Sequence, residues 1–265
     1  MALALIAGEG ALPAEVVRHQ SEPPLICGLE GFAPDDLSVD LWFRIETLGT
    51  LLRDLKERGV ERVCMAGATR RPEVDPSRID AATMRLVPRL QKAILAGDDG
   101  ALRAVVEIFE EAGFVVSGAH EIAPAILPPV GCLTEHHPEE QDIDDAARAA
   151  GIVRAMSSVD VGQACVVLRG QALAIESLFG TDWMLRSLTL RPDAGGGVLF
   201  KAPKPDQDRR VDLPTIGPDT VNAAVAAGLS GIVIEKGGVI VLDREAVVAE
   251  CNALGLFLMV RERAS

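Results

Sequence analysis

The sequence predicts an α/β fold, with a parallel-sheet domain followed by a mixed α/β domain. Three observations predict it. The apolar run Ala2–Ala7 closes on Gly8-Glu9-Gly10, as a buried strand does when it turns toward a helix. A second run, Val60–Ala66, reads as a buried strand ending in Gly67 after a stretch of helical periodicity, and strand, helix and strand at that spacing imply parallel pairing. Beyond residue 140 the apolar runs are shorter and are joined by tight turns, which suits hairpins and a mixed sheet.

Each element has a local reason. Residues 23–28 read as a second strand. Over residues 44–58, Ile45, Leu48, Leu51, Leu52 and Leu55 recur on one helical face, and Gly59 is placed to end the helix. Residues 81–96 and 98–112 are helical; the acidic pair Asp98-Asp99 suits a helix N-terminus, and Gly113 stops the second helix. Residues 114–118 form the next strand. The polar, proline-broken stretch 135–140 reads as a linker between domains at 1–134 and 141–265. A helix over 142–156 follows, then strands 165–169 and 171–176 pinched at Arg169-Gly170. Val198–Lys201 and Gly231–Glu235 are strands, with a helix over 218–227 between them. The stretch 239–242 is a strand after Gly237-Gly238. Asp243 can cap the helix that runs to Leu254, and 256–260 is the last strand.

Composition narrows the function classes. Hydrophobic residues are 48% of the 265, but aromatics are only 3% and Tyr is absent, so the core is aliphatic. A formal net charge of −13 excludes nucleic acid as a partner and broad electrostatic adhesion to an anionic membrane. Cys27, Cys64, Cys132, Cys165 and Cys251 are scattered with no Cys-x-x-Cys pair, which fits reduced thiols of a cytoplasmic protein better than a disulfide or zinc framework. The first residues read as a strand, and no run approaches the ~18 apolar residues of a membrane span.

The segment Lys201 to Gly217 is where chemistry concentrates. It holds four cations (Lys201, Lys204, Arg209, Arg210) and three carboxylates (Asp206, Asp208, Asp212), stiffened by Pro203, Pro205 and Pro214. A diphosphate substrate needs such a mixture: carboxylates hold Mg²⁺ through hard oxygens, while Lys and Arg neutralise phosphate charge. The competing reading is a salt-bridged surface loop. Thr181 and Asp182 either cap a short helix or bind phosphate at its start. Gln163, in Asp160-Val161-Gly162-Gln163, is a structural amide or a reader of base or sugar. Gly8-Glu9-Gly10 is half of a dinucleotide fingerprint; Pro13 occupies the third glycine's place, and no ribose-binding acid stands out in a matching strand. A nucleotide or sugar contact at Gly8 and Gly10 remains open. His136 and His137 are adjacent, so their side chains diverge and suit a solvated linker; His19 and His120 are isolated.

Taken together, these segments resemble the UDP-2,3-diacylglucosamine diphosphatase family of alphaproteobacteria, unrelated in fold to the calcineurin-like enzymes of the same step. The resemblance rests on Gly8-Glu9-Gly10-Ala11-Leu12-Pro13, Met65-Ala66-Gly67 with Arg71-Pro72, Gly97-Asp98-Asp99, Asp160 to Gln163, Ala174-Ile175-Glu176, Gly180-Thr181-Asp182, Lys201 to Gly217, and Ala226 to Gly231. It implies a Rossmann-like first domain, a catalytic second one, a homodimer, a Mg²⁺ requirement, and hydrolysis of a lipid-linked UDP-sugar to 2,3-diacylglucosamine 1-phosphate and UMP. It implies work at the inner face of the cytoplasmic membrane through transient surface contact. It places the essential aspartate in the motif Gln207-Asp208-Arg209-Arg210-Val211-Asp212, with Asp212 favoured over Asp208. Asp208, Asp212 and Glu176 are then the expected metal ligands. Lys201, Lys204, Gln207, Arg209 and Arg210 would hold the diphosphate, aided by Thr181, Asp182 and Gln163. Ser177-Leu178-Phe179 and Glu235-Lys236-Gly237 depart from the family pattern. Two other readings stay open: a non-catalytic UDP-sugar sensor or scaffold, and a nucleotide-sugar oxidoreductase using the Gly8/Gly10 turn.

Overall fold

The computed structural model describes residues 2–70, 72–95, 97–205 and 207–263. Arg71, Asp206 and the side chains of 93–99, with the acidic pair Asp98-Asp99, lie outside the described residues. The chain is α/β and divides into two compact units. One comprises the chain up to Ala125 together with Asp208–Asp212; the other runs from Ile126 to Gln207 and from Leu213 onward.

In the first unit the chain runs β1 (Ala2–Ala7), α1 (Leu12–Arg18), β2 (Leu25–Leu29), β3 (Leu41–Phe43), α2 (Leu48–Glu57), β4 (Val60–Ala66), α3 (Val87–Leu95), α4 (Gly97–Glu111), β5 (Val115–Ser117) and α5 (Ala119–Ile122). The strands form a wholly parallel sheet in the order β3-β2-β1-β4-β5. Parallel pairing puts all five carboxyl ends on one edge, and strand order reverses between β1 and β4, where such sheets open a crevice. Leu48, Leu51, Leu52 and Leu55 are buried along α2, the spacing of one helical face, and pack with Val63, Phe109 and Val116. Gly59 ends α2 at φ +71. A short 3-10 turn, Ile45–Thr47, takes up the start of the expected helix. β3 was not foreseen: it is a three-residue edge strand carrying the exposed Trp42.

The second unit contributes β6 (Gly131–Cys132), α6 (Glu140–Ser157), β7 (Ala164–Leu168), β8 (Gln171–Ile175), α7 (Gly180–Ser187), β9 (Val198–Lys201), β10 (Thr215–Ile216), α8 (Pro218–Ala226), β11 (Gly231–Glu235), β12 (Ile240–Val241), α9 (Arg244–Leu254) and β13 (Phe257–Arg261). Its six-stranded sheet, β6-β13-β11-β9-β7-β8, is parallel at its centre and antiparallel toward both edges. Strand alternation sorts the core into two layers. Leu199, Ile232, Ile234 and Leu258 join Met184, Leu185, Val221 and Val247 of α7, α8 and α9. Val198, Phe200, Val233 and Phe257 join Ala146, Ala149 and Val153 of α6. Arg169 (φ +50) and Gly170 (φ +76) make the expected hairpin turn, and Asp243 accepts from Ala246 N to cap α9.

The division differs from the expected one at 135–140. Residues 131–132 are strand: β6 pairs with β13, and just beyond it Thr134 Oγ1 accepts from Leu258 N at 3.0 Å. The polar stretch leads into α6, where Asp142 accepts from Glu139 N in a capping box. All five cysteines are free; burial pushes the thiols of Cys27, Cys64 and Cys165 up to about 12 and that of Cys251 to about 11.

Candidate active site

The segment from Lys201 to Asp212 is split between the units, and its charges fall into two groups. Asp208–Asp212 is a turn of the first unit, with Val211 N and Asp212 N both donating to Asp208 O. Val211 packs into the core of that unit, and the Arg210 backbone sits against Gly118, just past β5. A Cβ on Gly118 would lie 3.1 Å from Arg210 Cα and 2.6 Å from the His120 ring, so a side chain there would press on both. The turn therefore lies beside the carboxyl end of β5.

Within it the two aspartates differ. Asp208 takes Arg210 Nε at 3.0 Å on Oδ1 and Nη2 at 2.7 Å on Oδ2, and Arg210 N also donates to it. This fork holds the Asp208 carboxyl below its usual range and raises the guanidinium. Arg210 also donates to Glu110 of α4 at 2.6 Å. Both side chains are thereby committed to fixing the turn. Asp212 is half-buried, and no described residue donates a hydrogen bond or ion pair to its carboxylate. Arg209, three residues before it, is exposed.

The second unit holds the other group. Glu176, Thr181 and Lys201, expected as separate metal and phosphate ligands, instead meet one another in the interior. Thr181 Oγ1 donates to Glu176 Oε2, and Lys201 Nζ donates to Thr181 Oγ1 at 2.9 Å and to Thr215 O at 3.0 Å. All three residues are under a tenth exposed. Desolvation pulls the Lys201 ammonium down, and Glu176 and Asp182 pull it back. The network ties β8, α7, β9 and β10 together. Asp182 is exposed on the first turn of α7, followed by Trp183 packed at 5.5 Å on Phe179. Lys204 pairs with Asp160. Gln207 Oε1 closes the Lys204–Gln207 turn by accepting from Lys204 N, leaving its buried Nε2 without a partner. Gln163 N reaches Glu176 Oε1 at 3.3 Å, and its own Oε1 is a buried acceptor without a partner.

Among the described residues no three His, Cys, Asp or Glu side chains gather as a preformed metal cage. A divalent ion fits in a narrower sense. Mg²⁺ is commonly held by one or two carboxylates plus substrate phosphates, and Asp212 is a hard oxygen donor left free for that. Asp208 and Glu176 are engaged elsewhere.

His120, isolated in the sequence, lies against Gly118, as does the Arg210 backbone. Its Nδ1 is buried without a partner. Burial pulls its imidazole below the ordinary value, Arg209 adds to this, and Glu121 opposes it. With the folded value below the unfolded one near 6.5, the unfolded chain binds the extra proton in mild acid. The stabilising share is complete above that value and is lost as pH falls through the folded one. His120→Gln is therefore expected to narrow the drop in Tm between about pH 7 and about pH 5. A drop as steep as the wild type's would refute the role.

Two comparisons bear on this arrangement. Residues 2–126 match the LpxI N-terminal domain and residues 129–259 the LpxI C-terminal domain. The chain belongs to the LpxI family. It is similar to the UDP-2,3-diacylglucosamine pyrophosphatase LpxI of Caulobacter vibrioides, at 40% identity over 97% of this chain and 96% of that protein. This is the family the motifs resemble. The gap between the two LpxI domains, at residues 127–128, falls beside the division of the fold at Ala125 and not at 135–140.

Proposed function

We propose that the protein hydrolyses the diphosphate of UDP-2,3-diacylglucosamine to 2,3-diacylglucosamine 1-phosphate and UMP, as a Mg²⁺-assisted step of lipid A biosynthesis. The observation that carries this is likeness, across nearly the whole chain, to a protein of that named activity. The free Asp212 carboxylate on a turn braced by Asp208 and Arg210 agrees with it. Water attacks the sugar-linked phosphate; its oxygen bonds to that phosphorus as the bridging P–O bond breaks, and UMP leaves with the bridging oxygen. Asp212 orients the water. Arg209, exposed and unpaired among the described residues, offers its planar fork to the diphosphate. Arg210 and Asp208 act as positioning residues. Mg²⁺, when bound, would be held by Asp212 with the substrate's phosphates and would neutralise charge on the phosphate oxygens.

No helix among the described residues is long and apolar enough to cross a membrane. The substrate's two acyl chains nevertheless need an apolar seat. Leu178 (90% exposed), Phe179 (67%) and Trp183 (50%) supply one at the start of α7, at the inner face of the cytoplasmic membrane. The test is turnover of UDP-2,3-diacylglucosamine with Mg²⁺, followed by chromatography. UMP should appear in step with the sugar 1-phosphate; release of UDP, or no cleavage, would refute the reading. In the same assay Phe179→Ser and Trp183→Ser should raise KM about tenfold with kcat retained. Unchanged KM in both variants removes the acyl seat.

A further inference from the structure

His120 has no part in the reaction as described, yet it stands beside the turn that carries Asp212. β5 ends at Ser117 and α5 begins at Ala119, so the residue lies just past the end of the strand that the turn approaches. A Cβ built on Gly118 would meet His120 Cε1 at 2.6 Å, His120 Nδ1 at 2.7 Å and Arg210 Cα at 3.1 Å. The ring edge and the backbone of the turn therefore converge on one point, with no side chain on Gly118 to part them. Local hydrogen bonds hold the ring's helix in place. Glu121 Oε2 accepts from Gly118 N at 2.9 Å, and Gln20 Nε2 of α1 donates to Ile122 O at 3.2 Å. The turn itself is anchored by Val211 in the core and by Val211 N and Asp212 N on Asp208 O. The imidazole is thus part of the floor on which the turn rests.

Its polarity distinguishes it from a packing residue. Nδ1 is buried without a partner, and leaving such an atom unsatisfied costs about 1–3 kcal/mol. A neutral imidazole has one nitrogen without a hydrogen, so only a lone pair need be left bare. In the cation both nitrogens are donors, and a charged Nδ1–H would be buried with nothing to accept it. The surrounding groups divide. Arg209, on the turn, opposes a second positive charge, while Glu121, on α5, favours one. Arg210 is turned toward Asp208 and Glu110 of α4. On β4, against which α5 packs, Cys64 has its thiol pushed up to about 12 and stays uncharged. A protonated ring therefore has reason to leave the floor, and the turn then loses its support.

We infer that His120 is a positioning residue for the proposed reaction: its neutral ring props the Asp208–Asp212 turn so that Asp212 and Arg209 stand where the diphosphate needs them, and the protonated ring does not. The inference rests on the proposed reaction for what the turn does, but not for the turn's dependence on the ring.

The test follows kcat for UMP release in Mg²⁺ from about pH 8 to about pH 5. Wild type should lose activity with a slope of one proton below the ordinary imidazole range, since burial lowers the folded value. His120→Gln fills the space without titrating; it should retain most of the neutral activity and lack that acid limb. His120→Ala empties the space and should lower kcat about tenfold or more at every pH. Hydrogen exchange reads the turn without catalysis. In wild type the amides of Val211 and Asp212, corrected for intrinsic rate, should lose protection as the ring is protonated, while those of β1 keep theirs; this needs no variant to fold. At neutral pH His120→Ala should expose the same two amides and His120→Gln should keep them protected. An acid limb intact in His120→Gln, unimpaired turnover by His120→Ala, or protection at 211–212 indifferent to both pH and ring overturns the inference and leaves the proposed reaction standing. If wild type cleaves nothing and the two amides still follow His120, the ring's hold on the turn is sustained and the proposed reaction is what fails.

Discussion

Asp212→Asn is expected to lower kcat by two to three orders of magnitude while leaving substrate affinity within a few-fold. The substitution keeps the volume and removes the charge. In a half-buried position with no protein cation on it, that charge has no structural duty among the described residues, so its loss should cost little stability. In the proposed reaction its duty is toward the reacting phosphate, and loss of one preorganised electrostatic group in such a site costs about 2.7–4 kcal/mol in the transition state. Asp208→Asn should behave otherwise. It leaves Arg210 with only Glu110, loosens the turn, and should lower Tm together with a smaller loss in kcat. Steady-state kinetics and thermal melts of the two variants separate the roles. Near-normal kcat in Asp212→Asn, with collapse in Asp208→Asn, would reverse the assignment.

How much of this could be read before the fold was known differs from element to element. β1, β4, β9, β11 and β13 are apolar runs of four to seven residues bounded by turn formers, and such strands declare themselves. β3, β6 and β10 are two or three residues long and have no periodicity to detect. The stretch 135–140 looked like a linker because capping a long helix and joining two domains call for the same polar, proline-bearing composition. At the site, the density of charge between 201 and 212 was visible. The partition of that charge was not, because adjacent residues in one segment belong to different units. His120 escaped notice because its neighbours come from residues 209–210.

That partition makes Lys201 the sharper test of how the segment is built. A lysine that holds substrate phosphate and one that neutralises a buried carboxylate give opposite results when removed. Lys201→Met takes the ammonium away and leaves Glu176 and Thr181 buried, with a carboxylate that has lost the cation reaching it through Thr181. Breaking a buried pair from one side costs about 3–5 kcal/mol, mostly from the uncompensated charge left behind. For a unit of this size the second unit's Tm should drop by roughly 10 °C or more. Adding Glu176→Gln should recover much of it, since removing both charges is far less costly than removing one. Had Lys201 served the diphosphate directly, the single variant would keep its Tm and raise KM. A melt within about 1 °C of wild type would therefore dismantle the buried network, and the stretch from β8 to β10 would have to be held by apolar packing alone.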